Sequence, residues 1–159
     1  MRILALDLGT HFGWAEIENG QLIDSGHIDL KKSNGALRYA KFREIVVKSF
    51  IDPKRLDLSR SNRFLDHIAY EKVMRHQGTT AAHMYGAFEA LTMLIGFERN
   101  IPVHGYGVGE IKKFATGKGN APKEKMIEAA KRFKPGLEND NEADAIFIGL
   151  LAYDRLTQG

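Results

Sequence analysis

Three acidic residues stand in apolar surroundings, where an unpaired charge is costly. Asp7 follows the run "RILAL", Glu71 follows "HIAY", and Asp144 precedes "AIFIGLLAY". A carboxylate buried without a cation or hydrogen bonds costs several kcal/mol, so a partner is expected for each. Mg²⁺ takes such oxygen ligands and keeps several waters. Two ions about 4 Å apart could activate a water and stabilise the leaving oxygen of a phosphodiester.

Each acid also has a purely structural interpretation, which the sequence leaves open. Asp7 could satisfy the turn that begins with the following Gly-Thr pair. Glu71 could pair with a lysine at a strand edge. Asp144 could complement the dipole at the start of a helix. A metal site requires instead that the three carboxylates converge on one side of the fold.

The strands that must position these acids follow in a clear order along the chain. The apolar run "RILALDLG" predicts a strand that is covered on both faces. "FGWAEIE" and "QLIDSGHIDL" predict two more strands, joined by a turn at Asn19-Gly20. "FLDHIAYEKV" predicts a fourth strand ending at Glu71, and "IPVHGYG" a short fifth. Three antiparallel strands followed by alternating helices and strands predict an α/β fold with a mixed five-stranded sheet.

The helices are expected between and after the strands. The apolar side of a first helix, at 36 to 50, is predicted to hold five residues. These are Leu37, Phe42, Ile45, Val46 and Phe50. A polar loop at 52 to 62 follows. Further helices are predicted at 79 to 100, 109 to 115, 122 to 133 with Pro122 as the first helical residue, and 142 to 156.

Composition limits the classes of protein that fit. A chain of 159 residues with 43% hydrophobic content suits a single buried domain, 1 to 159, rather than two. The absence of cysteine excludes disulfides, cysteine-based zinc sites and thiol catalysis. No His pair has the spacing of a zinc motif. No apolar run has the length of a signal peptide or a membrane span, so we expect a cytoplasmic protein.

A basic segment lies between positions 111 and 135. Its cationic residues are Lys112, Lys113, Lys118, Lys123, Lys125, Lys131, Arg132 and Lys134. Such a surface suits a polyanion, although a solvated helix face explains the charges equally well. Within it, the glycines of "GKGNAPK" would let backbone N–H groups approach a phosphate at the start of the next helix. The alternative is an ordinary turn between two solvated helices.

Four stretches of the sequence resemble a known family. "ILALDLGTHFGWA", "IAYEKV", "GVGEIKKFATGKGNAPKEKM" and "DNEADA" occur in the order found in the RuvC family of Holliday junction resolvases, in its bacteriophage branch, which has the RNase H-like fold. The resemblance covers nearly the whole chain. It implies a dimeric, Mg²⁺-dependent endonuclease of DNA recombination and repair, with Mn²⁺ able to substitute. Such an enzyme nicks four-way DNA junctions symmetrically and leaves 5′-phosphate and 3′-hydroxyl ends, in a bacterial or phage-infected cell.

The resemblance also assigns the metal ligands. Asp7, Glu71 and Asp144 match the metal-binding acids of the family. The fourth acidic position falls on Asn141, whose amide oxygen can still bind a metal. Asp140 shares nearly the same helix face as Asp144, four residues on, and could take that place. Glu142 is two residues from Asp144 and is expected to face solvent.

The same resemblance assigns residues that contact DNA. Lys112 and Lys123 match lysines that support cleavage near the scissile phosphate, and Lys113, Lys118 and Arg75 are expected to bind DNA with them. Three residues beyond Glu71, where relatives often carry an aromatic wedge, this chain has Met74. Methionine can insert as an apolar wedge but stacks less well than an aromatic ring. Alternatively, this stretch only leads into a helix capped by Thr79 or Thr80.

Other functions remain open at the level of sequence. An RNase H-like nuclease could act on other substrates, such as RNA–DNA hybrids, and a module that only binds branched DNA could retain the fold without cleaving. "LDLGT" also resembles the phosphate loop of sugar kinases and actin, but those proteins close two domains over ATP and this chain is too short for that. Mg²⁺-dependent nicking distinguishes a nuclease from a module that only binds DNA, and ATP binding would favour the sugar kinase and actin resemblance. The helix at 79 to 100 is either a dimer face or part of the core.

Overall fold

The computed structural model describes residues 1–51 and 64–159, and the predicted polar loop at 52 to 62 lies outside them. Within these ranges the sheet has five strands: β1 Arg2–Asp7, β2 His11–Glu18, β3 Gln21–Asp29, β4 His67–Lys72 and β5 Val103–Gly107. Their order across the sheet is β3-β2-β1-β4-β5.

The strand directions confirm the predicted mixed sheet. β1 pairs antiparallel with β2, and β2 with β3, whereas β1–β4 and β4–β5 are parallel. The turn between β2 and β3 is formed by Asn19 and Gly20, which both have positive φ, at 50° and 79°. That backbone conformation is the one that an Asn-Gly pair adopts readily. Because β1 and β4 run in parallel, the carboxyl ends of both strands lie at the same edge of the sheet.

Helices cover both faces of the sheet. The helices are α1 Gly35–Val46, continued by a π-helical turn Val47–Ile51, then α2 Thr79–Arg99, α3 Val108–Thr116, α4 Lys123–Ala130 and α5 Asp140–Gln158. Alternate residues of β1 point to opposite layers, since successive side chains of a strand alternate. Leu4 and Leu6 pack in one core with α1 and α2, and Ile3 and Ala5 pack in a second core with α3, α4 and α5.

The predicted apolar side of the first helix is partly wrong. Phe42 and Val46 are fully buried, but 54% of Leu37 is exposed. Nine residues separate Leu37 from Val46, which is two and a half turns of an α-helix. The two side chains therefore lie on opposite sides of α1, and only one side can face the sheet.

The helix ends near the basic segment also differ from expectation. Pro122 is the residue before α4 rather than its first residue, and α4 ends at Ala130 instead of continuing to 133. α5 begins two residues earlier than predicted, because the Asn139 side chain caps it by accepting a hydrogen bond of 2.9 Å from the Glu142 backbone N–H. Asp140 and Asn141 consequently belong to the first turn of α5. Among the described residues, no helix combines the length and the apolar character that crossing a membrane would require.

Candidate metal centre

Asp7 occupies the last position of β1, at the carboxyl edge of the sheet. Its side chain follows Ile3 and Ala5 onto the layer covered by α5, and only 9% of the residue is exposed. Burial raises the pKa of the Asp7 carboxyl well above its usual range, and the nearby carboxylates of Glu71 and Asp144 raise it further. The charged form of Asp7 is therefore destabilised unless a nearby cation compensates its charge.

Glu71 lies beside Asp7 on the neighbouring parallel strand. β1 and β4 are paired through Leu6 and Tyr70, the residues that immediately precede Asp7 and Glu71. Burial raises the pKa of Glu71, and the ammonium group of Lys112 partly opposes this rise. The backbone beyond Glu71 is held by the Tyr85 hydroxyl, which donates to the Glu71 carbonyl at 2.7 Å and accepts from the Val73 N–H at 3.1 Å.

Asp144 reaches the same place from α5, which packs across β1 and β2. Burial raises the pKa of Asp144 to about 7, with further contributions from Glu71 and Asp140. Its Oδ1 atom is buried and has no hydrogen-bond partner among the described residues. An orphaned buried carboxylate oxygen is rare in proteins, and a bound ion is one of its recognised explanations.

Asp140 and Asn141 lie one helical turn before Asp144. The Asp140 carboxylate accepts a hydrogen bond from the Lys123 ammonium group, which holds the pKa of Asp140 below its usual range. The backbone of Asn141 rests directly on β2 at Gly13. A Cβ atom on Gly13 would lie 1.9 Å from the Asn141 carbonyl oxygen, so only glycine permits this approach.

These acids fit a hard divalent cation in their chemistry and charge. All the donors are oxygens, as Mg²⁺ and Mn²⁺ prefer, and Asp7, Glu71 and Asp144 all have pKa values raised by burial. In residues 1–51 and 64–159, however, no three carboxylate or imidazole side chains are gathered tightly enough to hold an ion as they stand. An ion would therefore have to draw the carboxylates inward. Their role as metal ligands stays a prediction.

Two of the predicted DNA-binding lysines, Lys112 and Lys123, lie near the acids. Lys112 lies on α3, close enough to Glu71 and Asp144 to oppose part of the rise in the pKa of each. Lys113 and Lys118 are exposed, and Lys123 is the first residue of α4. The turn between α3 and α4 depends on Gly117, whose φ of 80° favours glycine.

Met74 and Arg75 lie in the segment that connects β4 to α2. Both are exposed, and 77% of Met74 is accessible. The helix that follows begins after Gly78, which has a φ of 117°, and it has no side-chain cap. The expectation that Thr79 or Thr80 caps α2 is therefore wrong.

Glu142 is the clearest departure from the sequence prediction. It was expected to face solvent, yet only 6% of the residue is exposed. Its Oε1 accepts hydrogen bonds of 2.6 Å from Ser25 Oγ and 2.6 Å from Lys134 Nζ. Burial raises the pKa of Glu142, but the hydrogen bonds from Lys134 and Ser25 outweigh it and leave the pKa below its usual value. The residue does point away from Asp144, but β3 covers that side of α5.

Two curated relatives match most of the chain. The crossover junction endodeoxyribonuclease RuvC of Pseudothermotoga lettingae is 29% identical over 143 residues, which is 88% of each protein. The protein of the same name from Prochlorococcus marinus is 28% identical over 160 residues, or 94% of each. No protein-family model matches the chain. Membership of the bacteriophage branch stays a prediction.

A solved structure has the same fold. Thermus thermophilus RuvC, in complex with Holliday junction substrate, superposes with a TM-score of 0.78 at 21% identity. The alignment covers 99% of this chain and 96% of that one. The predicted RNase H-like architecture is thereby confirmed. The chain is therefore similar in sequence to two RuvC proteins along most of its length, and it shares the fold of a third along nearly all of it.

Proposed function

We propose that this protein is a metal-dependent endonuclease that resolves four-way DNA junctions, and other branched DNA, in recombination and repair. The observation that carries the proposal is the group of buried and partly buried acids on β1, β4 and α5, with Lys112 and Lys123 beside it. The two curated relatives are named crossover junction endodeoxyribonucleases, and the Thermus thermophilus relative is bound to a Holliday junction substrate. Its place of action would be the cytoplasm of a bacterial or phage-infected cell.

Asp7, Glu71 and Asp144 would hold the ion, completed by Asp140 or Asn141. When bound, Mg²⁺ or Mn²⁺ supplies a Lewis acid for hydrolysis of a phosphodiester, leaving 5′-phosphate and 3′-hydroxyl ends. The burial of the acids supports this role, because a site shielded from water strengthens each electrostatic contact with the ion.

The residues around the acids would bind and orient the DNA strand. Lys112 and Lys123 provide positive charge beside the carboxylates, where a phosphate must approach an otherwise anionic site. Lys113 and Lys118 extend the charge outward along the DNA backbone, and counterion release would make binding depend on salt. Met74 and Arg75, which are exposed just beyond Glu71, would also contact the junction.

The proposed reaction implies two copies of the chain. Symmetrical resolution needs two cuts, whereas the described residues contribute one group of buried acids. We therefore infer a homodimer with a two-fold axis, as a two-fold symmetric substrate favours. The exposed apolar side of α2 suits this contact: Met93 and Phe97 are 55% and 82% exposed and line a groove of about 390 Å³ that extends to the edge of β5.

The test compares DNA shapes with and without metal. Purified protein is incubated with a synthetic four-way junction, a Y-fork and a linear duplex of the same sequence, in Mg²⁺ or in EDTA. We expect paired nicks in the four-way junction with Mg²⁺, ligatable products, weaker cutting of the fork and intact linear duplex. Binding without nicking in any metal would favour a non-catalytic module. Preferential cutting of RNA–DNA hybrids, or tight ATP binding, would contradict the proposal.

A further inference from the structure

Glu142 lies between Asn141 and Asp144 in the sequence but faces the opposite side of α5. Two residues correspond to about 200° around an α-helix. On that side Glu142 is nearly fully buried and accepts hydrogen bonds from Ser25, in the middle of β3, and from Lys134, in the connection between α4 and α5. The ring of His27 lies 3.7 Å from its second carboxylate oxygen. One side chain thus ties α5 to two other parts of the fold.

The same turn of α5 is fixed at two further points. The Asn139 side chain accepts from the Glu142 backbone N–H, and the Asn141 backbone rests on Gly13 of β2. Lys134 also donates to the Ser25 carbonyl at 2.9 Å, which closes the network between β3 and the connection. The beginning of α5 is held from β2, from β3 and from the segment that precedes it.

The acids on the other side of α5 need this restraint. Asp140 and Asp144 share that side and lie near Asp7 and Glu71, and these like charges repel when no ion is bound. A rotation of α5 by about 10° would move a carboxylate that is about 5 Å from the helix axis by about 1 Å. Metal and catalytic sites tolerate displacements of only about 0.5 Å.

We propose that Glu142 is a positioning residue: its hydrogen bonds to Ser25 and Lys134 fix the rotation of α5, so that Asp140, Asn141 and Asp144 face Asp7 and Glu71. This inference rests on the proposed metal-dependent function. Glu142 itself contacts neither ion nor DNA. Buried ion pairs contribute little net stability compared with apolar packing, whereas a charge held by two donors defines one orientation of the helix.

The experiment measures metal affinity directly, in the absence of DNA. Glu142→Gln keeps the shape but removes the charge, and Ser25→Ala removes one hydrogen bond. Mn²⁺ binding is followed by isothermal titration calorimetry below the melting temperature, together with junction binding in EDTA. We expect Glu142→Gln to weaken Mn²⁺ binding roughly five- to tenfold and Ser25→Ala two- to threefold. Junction binding in EDTA should stay within twofold, and saturating Mn²⁺ should restore most of the cleavage rate.

Glu138→Gln is the matched control, because Glu138 is an exposed acid of the same connection. The inference is overturned if Glu142→Gln binds Mn²⁺ as the wild type does, or if the control loses as much affinity. The inference is also overturned if Glu142→Gln loses as much affinity for the junction in EDTA as it loses for Mn²⁺, since the substitution would then disturb the whole protein. If Glu142→Gln does not fold, Ser25→Ala decides by the same criteria. If the wild-type protein binds no Mn²⁺, the proposed function and this inference are both overturned. If the wild type binds Mn²⁺ and the variants bind it equally well, only this inference is overturned.

Discussion

The ammonium group of Lys123 donates a hydrogen bond to the carboxylate of Asp140, joining the first residue of α4 to the first residue of α5. Lys123 is 75% exposed and Asp140 only 26%, so the lysine can swing away while the acid stays in place. The pair brings together a residue expected to approach the phosphate and one expected to approach the ion. Before DNA and metal bind, each compensates the other.

Lys123→Ala should slow cleavage, because it removes a cation from beside the scissile phosphate. It should also reduce the salt dependence of junction binding by about one phosphate contact. The measurement is junction affinity across a salt series, with single-turnover cleavage. Lys125→Ala is the control, since Lys125 is exposed on the same helix and pairs with Glu128 instead. If Lys123→Ala changes neither quantity, the segment around it is only a turn.

Asp7→Asn should abolish cleavage while junction binding survives. The substitution removes a carboxylate from the most buried position of the site and leaves the basic border intact. Cleavage and gel-shift assays on the same preparation separate the two effects. An Asp7→Asn protein that cuts at the wild-type rate would disprove the assignment of the metal site.

Asp144→Asn should stabilise the metal-free protein at high pH. The pKa of Asp144 is about 7 in the folded protein, against 3.8 for an unperturbed aspartate, so the folded protein holds the proton more tightly. The contribution of Asp144 to the free energy of unfolding therefore falls as pH rises from about 4 to about 7 and then stays level. In EDTA at pH 8 the variant should exceed the wild type by on the order of 2 kcal/mol, and at pH 3.5 the two should agree.

Urea denaturation at the two pH values measures this difference. Added Mg²⁺ should then stabilise the wild type at pH 8 more than the variant, because ligand binding to the folded state shifts unfolding. Equal stability of the two proteins at pH 8 in EDTA would show that Asp144 carries no unfavourable charge.

Asp140→Asn should impair cleavage at least as much as Asn141→Ala, since Mg²⁺ prefers a charged oxygen to a neutral one. Asp140→Asn also frees Lys123. Single-turnover cleavage across a Mg²⁺ titration compares the two variants. A larger defect in Asn141→Ala would make the amide the better candidate for the fourth ligand.

Tyr85→Phe should destabilise the backbone conformation of the residues that follow Glu71. The hydroxyl donates a hydrogen bond to the Glu71 carbonyl and accepts one from the Val73 N–H. The substitution removes both hydrogen bonds. We expect the free energy of unfolding to fall by about 1–2 kcal/mol and cleavage to fall less than in Glu71→Gln. Thermal denaturation and cleavage assays test this; a variant indistinguishable from wild type in both would show that Tyr85 does not hold this turn.

The parts of the fold that could be predicted are those that depend on residues close together in the sequence. The alternation along β1 and the Asn19-Gly20 turn depend on adjacent residues, and both predictions are confirmed. The burial of Glu142 depends on Ser25, which lies 117 residues away, and no local pattern reports such a contact. The exposure of Leu37 was misjudged although helical geometry alone puts it opposite Val46. For the site, the sequence named the acids, but only the fold places Asp7, Glu71 and Asp144 at one edge.

The separation of the acids along the chain has a consequence for protein synthesis. Asp7 belongs to β1 and Asp144 to α5, and the two acids come together only after α5 has packed on β1 and β2. A ribosome adds roughly 5–20 residues per second, so the second acid emerges roughly 7–27 s after the first. Throughout that interval the nascent polypeptide cannot bring the proposed metal ligands together. A nuclease built in this way gains the ability to cut nucleic acid only after α5 has left the ribosome.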